Sequence, residues 1–407
     1  MAIFGDSTEG EDGKHVCPSS AAYNIEAPEP FIGSLSFHHF NMILSGACVG
    51  LVCLIIFTLM FRHATHLSKP REQIKIMKIC LLLPLYSITS FLAICFPTAA
   101  VSLTPWMEVY QGLALGSFFL LLCEFLTREN EDGVGGFFES FDPPKKRAKE
   151  GLTGVEWFGK QWLAIWQYPI IALGVAIATD ITEALDVYCL ESNNVHFAHI
   201  WLTVIPIVSV AFAVISILIF YKGLKSHLQA HKPLSKLLAF KLIVGLAFIE
   251  KIVFTILHST STLHPTATLS QADTDIGIPH LVICIQMVPF ALFFPYAYSV
   301  TPYVGLTPYE SRTTAWIGLV NPMEILRAMG VALGMAARRG GRTRAGKRGG
   351  RGSDVYDRLE TAHPGMEYPP PGPMPPPLRP FQYDPGHANP PAAPLVGHRR
   401  QEGTCQR

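Results

Sequence analysis

Residues 200–221, IWLTVIPIVSVAFAVISILIFY, contain no charged side chain. A bilayer core about 30 Å thick needs roughly 20 apolar residues of α-helix to cross it. This stretch therefore predicts a transmembrane helix. The bases Lys222 and Lys225 follow it directly, whereas the connection before it carries the acids Glu183, Asp186 and Glu191 and no base. The same pattern recurs along the chain.

Six further segments are long and apolar enough to span a bilayer: Phe40–Phe61, Ile79–Val101, Val109–Leu126, Trp162–Ala178, Leu237–Leu257 and Leu281–Val300. Charged residues make up only 15% of the chain, against about 25% in soluble domains. The sequence therefore predicts an all-α fold, a bundle of seven transmembrane helices. The near-neutral net charge of +1 gives no reason to expect a nucleic-acid partner.

Lysine and arginine in the connections predict the direction of the spans. They are concentrated after the first, third and fifth spans, while the alternate connections Leu103–Glu108, Thr182–His199 and Ser259–His280 contain none. Basic loops stay on the cytosolic side of a membrane. We therefore expect the amino terminus outside the cytosol and the carboxyl terminus inside it.

The domain organisation follows from these spans. We expect a polar external tail at residues 1–36, the membrane domain at 37–302, a cytosolic juxtamembrane segment at 303–339 and a disordered, basic, Gly- and Pro-rich tail at 340–407. Within the juxtamembrane segment, Asn321-Pro322-Met-Glu324 has the pattern of a helix start. Leu326, Met329 and Leu333 then recur near helical spacing, which predicts an amphipathic helix that either lies on the membrane or packs on the bundle.

Ionisable groups inside a span are costly and mark candidate functional sites. Glu250 precedes His258 by eight residues, and Gln286 follows His280 by six. At 1.5 Å per residue both lie about 9–12 Å from the same end of antiparallel helices, so the two side chains should meet. Glu250, Lys251 and Gln286 are thus predicted to form either a substrate-binding pocket or a structural hydrogen bond between helices.

Four prolines within the spans, Pro84, Pro206, Pro289 and Pro295, predict helix kinks because proline removes a backbone hydrogen bond. Of the nine cysteines, Cys17 and Cys189 face the oxidising side and are the candidates for a disulfide. The histidines show no metal-ligand spacing, and no nucleotide-binding glycine loop is present. We therefore expect no enzyme activity, no metal and no cofactor.

A series of short motifs lies between Phe37 and Arg327: Arg62-His63-Ala-Thr-His66, Pro70-Arg-Glu72-Gln73, Pro84-Leu-Tyr86-Ser-Ile-Thr-Ser90, Tyr110-Gln111, Gln167-Tyr168, Phe220-Tyr221-Lys222, Ile283-Cys284-Ile285-Gln286-Met287 and Asn321-Pro322-Met-Glu324. Together these motifs resemble the organic solute transporter alpha-subunit family, which includes transmembrane protein 184. The resemblance adds Tyr86 and Gln167 to the candidate substrate contacts.

The resemblance implies a facilitated carrier of amphipathic organic solutes such as steroid- or lipid-like anions. It also implies membrane lipids as surroundings and, as partner, a small single-span beta-type subunit or a second copy of the chain. The sequence leaves open the plasma membrane or a vacuolar or Golgi membrane. The alternatives are a membrane trafficking or scaffold protein that uses its cytosolic tail and, less favoured, a seven-helix receptor.

Two positions of this chain depart from the usual pattern of the family that it resembles. Gln286 stands where an acidic residue is usual, and Glu250 stands where glutamine is common. If the two positions face each other, this exchange keeps one carboxylate in the same pocket. The loop Thr127–Lys160 also contains no cysteine, unlike the acylated vertebrate form.

Overall fold

The computed structural model describes residues 27, 29–127, 133–144, 151–185, 187–188, 196–228, 263–306 and 309–342, together with single positions between 245 and 260. Within these residues the regular structure is helical, apart from an isolated bridge between Ile32 and Leu35. The all-α fold class is confirmed.

The described residues contain seven helical segments that are long and apolar enough to cross a membrane: Phe37–Thr65, Pro70–Cys95, Pro97–Leu126, Gly154–Ala184, Ala198–Gly223, Asp273–Tyr303 and Arg312–Ala337. Six of them overlap predicted spans, with different bounds. The seventh belongs to the segment predicted as juxtamembrane. The predicted span Leu237–Leu257 is described at eight positions, all helical.

The first two spans form three helices. Helix α1 is Phe37–Thr65, with the Ser36 hydroxyl accepting from the His39 amide at its start. The second span is divided at Leu81 into α2, Pro70–Cys80, and α3, Leu82–Cys95. Pro84 has no N–H to donate to the carbonyl of Cys80, four residues earlier, which explains why the helix is interrupted there.

Helix α4, Ala100–Thr127, includes Leu103–Glu108, so the prediction of a short connection there is wrong. Pro97 ends the preceding helix and begins a single 3-10 turn that leads directly into α4. A short helix α5, Gly133–Glu139, follows. Helix α6, Gly154–Ala184, is longer than the predicted Trp162–Ala178, because Thr153 and Glu156 form a capping box that starts it earlier.

The remaining helices are α7, Ala198–Gly223, the short α8, Lys225–Leu228, and α9, Ile278–Ala297, which a π-helical turn at Asp273–Gly277 precedes. Pro206 lies inside α7, and Pro289 and Pro295 lie inside α9. Two more helices, α10, Arg312–Val320, and α11, Met323–Arg342, form what we call the C-terminal arm.

Helix α4 lies at the centre of the bundle, where it packs against α2, α3 and α6. All six residues from Phe118 to Cys123 are fully buried. Two glycines allow α4 to approach α6 closely: a Cβ on Gly112 would lie 2.8 Å from Pro169 Cα, and one on Gly116 would lie 2.7 Å from the Trp166 ring. This close contact fixes the positions of the polar side chains described next.

Candidate functional site

Glu250 and Gln286 contact each other inside the bundle. Gln286 Nε2 on α9 donates to Glu250 Oε2 at 2.6 Å, and both side chains are partly buried. The second carboxylate oxygen of Glu250, Oε1, is buried and accepts no hydrogen bond from the described residues. The structure thus brings together the two side chains whose depths match in the sequence, and leaves one acceptor available.

Tyr86 lies in the same region of the bundle. Its side chain is buried, and its hydroxyl donates to Gln111 Oε1 at 2.5 Å, which links α3 to α4. The carboxylates of Glu108 and Glu250 are both near enough to influence this hydroxyl electrostatically. Tyr86 therefore belongs to the same polar region as Glu108 of α4 and Glu250.

A second tyrosine extends the group to α6. Tyr168 donates through its hydroxyl to Glu108 Oε2 at 2.7 Å. Tyr86 also lies within electrostatic range of Tyr168. We name these residues the interior polar cluster: Tyr86, Glu108, Gln111, Tyr168, Glu250 and Gln286. The hydroxyls of Tyr86 and Tyr168 and the side-chain amide of Gln286 each donate to an oxygen of another member.

Three members of the cluster were not among the predicted site residues. Glu108 was assigned to a connection outside the membrane, and Gln111 and Tyr168 entered only as parts of motifs. Their positions in helices give a signal that could have identified them. Glu108 and Gln111 are three residues apart and therefore share a face of α4, on a mostly apolar helix.

Gln167 has a different set of contacts. Its Nε2 donates to the Ser209 carbonyl at 2.8 Å, and its Oε1 accepts from the Ser209 hydroxyl at 2.8 Å. Both ends of the amide are therefore engaged with α7, next to Pro206. These bonds connect α6 to α7. The role of Gln167 as a substrate contact stays a prediction.

Several predicted residues lie outside the described part of the chain. Lys251, next to Glu250, is one of them, and so are Cys17 and Cys189, the candidates for a disulfide. Among the described residues, no three His, Cys, Asp or Glu side chains are grouped so that they could hold a metal ion.

A second charged site lies where α2, α4 and the C-terminal arm meet. Lys75 Nζ is 3.2 Å from Glu124 Oε2 and 2.9 Å from Glu324 Oε1, and the lysine side chain is only 3% exposed. Nζ also donates to the Arg71 carbonyl at 3.1 Å. We call Lys75, Glu124 and Glu324 the ionic triad. The sequence shows Lys75 only as one of several loop bases.

Gln73 and its neighbours in the sequence motifs hold the turn between α1 and α2 in place. Gln73 Oε1 accepts from the amides of Ser68 and Lys69, and its Nε2 donates to the His66 carbonyl at 2.7 Å. The side chain therefore holds the turn between α1 and α2. Nearby, Tyr303 donates to Glu72 Oε2 at 3.0 Å, which fixes α2 to the segment after α9.

Comparison with known proteins gives one family. The sequence profile of the organic solute transporter Ostalpha family matches residues 41–303, which include every helix that contributes to the interior polar cluster. No solved structure matches the chain.

Relatives from three organisms are similar over about three fifths of this chain. A transmembrane protein 184 homolog of Dictyostelium discoideum is 27% identical over 62% of this chain and 50% of its own length. Protein LAZ1 of Arabidopsis thaliana is 25% identical over 64% of this chain and 58% of its own length. The vacuole membrane protein hfl11 of Schizosaccharomyces pombe is 24% identical over 62% of this chain and 59% of its own length. The chain thus spans between half and three fifths of these relatives' lengths.

Proposed function

The chain belongs to the organic solute transporter Ostalpha family and is a multi-pass integral membrane protein, and from that premise we propose that it is a facilitated carrier of amphipathic organic solutes. The observation that carries the proposal is the interior polar cluster. It lies among apolar helices and offers one buried carboxylate oxygen, Glu250 Oε1, that the described residues leave without a donor.

An apolar surface with a few well-placed polar groups suits a molecule such as a sterol. Glu250 Oε1 can accept a hydrogen bond from a solute hydroxyl, while the apolar body of the solute packs against the helices. An anionic group on the same solute must be held away from Glu250, because like charges repel at short range in a medium of low polarity. Lys251, the next residue in the sequence, is the candidate for that group.

We further propose that the basic connections face the cytosol, so that the C-terminal arm lies at the cytosolic end of the bundle. The clustering of bases after the first, third and fifth spans supports this direction. It puts the ionic triad on the cytosolic side and the interior polar cluster nearer the opposite end.

The transport proposal is tested in vesicles that contain the purified full-length chain, alone and with any copurifying single-span subunit. Uptake of a labelled steroid sulfate is compared among the wild type, Glu250→Gln and Glu139→Gln. The substitution is the same in both variants, but Glu139 is exposed on α5. We expect Glu250→Gln to lower uptake about tenfold, since a hydrogen bond to a charged group contributes about 1.5–3 kcal/mol, and Glu139→Gln to match the wild type.

Equal uptake by all three proteins for every steroid sulfate, free steroid and fatty anion offered, at the level of empty vesicles, would contradict the carrier. A chain that ends at Gly340 distinguishes the scaffold alternative. A carrier keeps its uptake without the tail, whereas a scaffold loses its cellular role.

A further inference from the structure

The C-terminal arm is held on the bundle by contacts to four helices, α1, α2, α4 and α6. Gly318 of α10 faces the Ile74 side chain of α2 with no room for a Cβ. On α11, the Ala328 carbonyl accepts from Trp162 Nε1 of α6 at 3.2 Å. The buried face of α11 consists of residues at helical spacing: Ile325, Ala328, Ala332 and Met335.

The ionic triad joins this arm to the membrane helices. Each of its members comes from a different element: Lys75 from α2, Glu124 from α4 and Glu324 from the first turn of α11. One turn further along α2, Lys78 Nζ donates to the Asn321 carbonyl at 3.0 Å, and Asn321 Oδ1 accepts from the Met323 amide that begins α11. Two lysines of one short helix thus hold the hinge between α10 and α11.

Burial makes this attachment all-or-none. If the arm moved slightly away, the Lys75 ammonium would remain enclosed with one carboxylate fewer, a state that is strongly unfavourable for a buried charge. The arm is stable either docked, with the triad complete, or far enough away for water to reach all three groups. Interfaces of this kind have two discrete arrangements rather than a continuous range.

Two features of the site are compatible with both states. Helix α2 is separated from α3 by the turn at Leu81 and is therefore a short unit of its own. The outer face of α11 is apolar, with Leu326 and Leu333 51% and 54% exposed. An arm that left the bundle would keep this face in the lipid, as an amphipathic helix does.

We propose that the C-terminal arm is a conformational latch, which locks α2 against α4 when the ionic triad is formed and frees α2 when it opens. The sequence pattern gives no indication of this role, because the three residues are 49 and 200 positions apart. The proposal does not depend on transport, and its test reads the conformation directly.

Cys123 is a natural reporter of the latch. It is fully buried on α4, next to Glu124 in the sequence, and close to all three charged groups of the triad. Cys284 on α9 is equally buried, and its Sγ contacts the Ser87 carbonyl on α3, in another part of the bundle. Alkylation of Cys123 therefore reports the latch, and alkylation of Cys284 reports general loss of structure.

The experiment treats the full-length protein in vesicles with N-ethylmaleimide and measures the modified fraction of each cysteine by peptide mass spectrometry. In Glu324→Gln we expect Cys123 to react at least about tenfold faster than in the wild type, with Cys284 unchanged. Arg327→Gln removes an exposed charge three residues further along α11 and should leave both rates unchanged. Unchanged Cys123 in Glu324→Gln, or equal acceleration of both cysteines, would overturn the latch.

A charge exchange separates the ionic contact from simple packing. Lys75→Glu alone places three carboxylates together and should open the latch further than Glu324→Gln does. Lys75→Glu combined with Glu324→Lys restores one ammonium between two carboxylates, so Cys123 should be protected again at least in part. A double variant as reactive as Lys75→Glu alone would show that the charges do not hold the arm.

Discussion

The interior polar cluster and the ionic triad are both groups of charged and polar side chains in an apolar bundle, but they differ in how completely their atoms are paired. In the triad, the lysine contacts two carboxylates and a backbone carbonyl. In the cluster, Glu250 has a single described donor and a buried oxygen with none. A fully paired group holds structure together, whereas an incompletely paired one can still accept a hydrogen bond.

The position of the two groups agrees with this difference. The triad joins three elements at one end of the bundle, where it closes an interface between helices. The cluster consists of three hydrogen-bonded pairs, which join α3 to α4, α6 to α4, and α9 to the 245–257 segment. The family profile covers all the contributing residues. We infer that substitutions in the triad act mainly on stability and conformation, and that substitutions in the cluster act mainly on the solute.

The largest expected effect on stability comes from Lys75→Gln. It leaves the carboxylates of Glu124 and Glu324 facing each other without the ammonium, and breaking a buried pair in this way costs about 3–5 kcal/mol. The free energy of unfolding in detergent, measured by denaturant titration, should fall by that amount. Arg327→Gln is the matched control and should change it by less than about 0.5 kcal/mol. Equal values for the two variants would show that the triad is not structural.

Gly112→Ala should have the next largest effect on stability. It tests the helix packing that positions the cluster rather than the polar atoms of the cluster. The added methyl group would lie 2.8 Å from the Pro169 Cα, so α4 and α6 must separate. Overpacking of this kind costs about 1–3 kcal/mol. Gly174→Ala on α6, where a Cβ meets nothing within 4 Å, is the control and should be neutral or slightly stabilising. Similar losses in both variants would contradict the close helix contact.

Tyr86→Phe should have a moderate effect on stability and a clear one on the solute. It removes the donor to Gln111 Oε1 and leaves that buried acceptor unpaired, which costs about 1–3 kcal/mol. Tyr303→Phe is a suitable comparison, because it removes a similar buried hydroxyl bond, to Glu72, outside the cluster. Both variants should lose stability, but only Tyr86→Phe should weaken steroid sulfate uptake beyond the loss of folded protein.

The smallest expected effect on stability is that of Glu250→Gln. The substitution keeps the volume of the side chain and still allows a hydrogen bond with Gln286, so unfolding should change by less than about 1 kcal/mol. Uptake should nevertheless fall, since Oε1 loses its charge. A stability loss as large as that of Lys75→Gln would mean that Glu250 is a structural residue like the triad.

The sequence predicts the spans well, because the length of an apolar run is a local property that the bilayer thickness determines. It also brings Glu250 and Gln286 together, since helix rise converts positions in the chain into depths. The sequence also contains a signal from which the start of α6 can be predicted. Thr153-Gly-Val-Glu156 is a capping-box pattern that marks it eight residues before the predicted Trp162.

Other features depend on contacts between distant parts of the chain. In the sequence, Lys75 resembles a solvated base in a loop. It is a buried, paired base only because the fold places Glu124 and Glu324 beside it. Glu108 was misplaced because a proline and an acid near a span end resemble a connection, whereas α4 continues through both. For the arm, one face of α11 packs on the bundle and the other carries exposed apolar side chains. That the helix lies on the membrane stays a prediction.

Photoaffinity labelling with a steroid sulfate that carries a diazirine tests the central claim most directly. The account predicts that labelled peptides come from α3 and α9, around Tyr86 and Gln286, and that Glu250→Gln reduces this labelling strongly while Glu139→Gln does not. Labelling confined to other helices, or labelling of α3 and α9 that is equal in both variants, would contradict a solute site at the interior polar cluster.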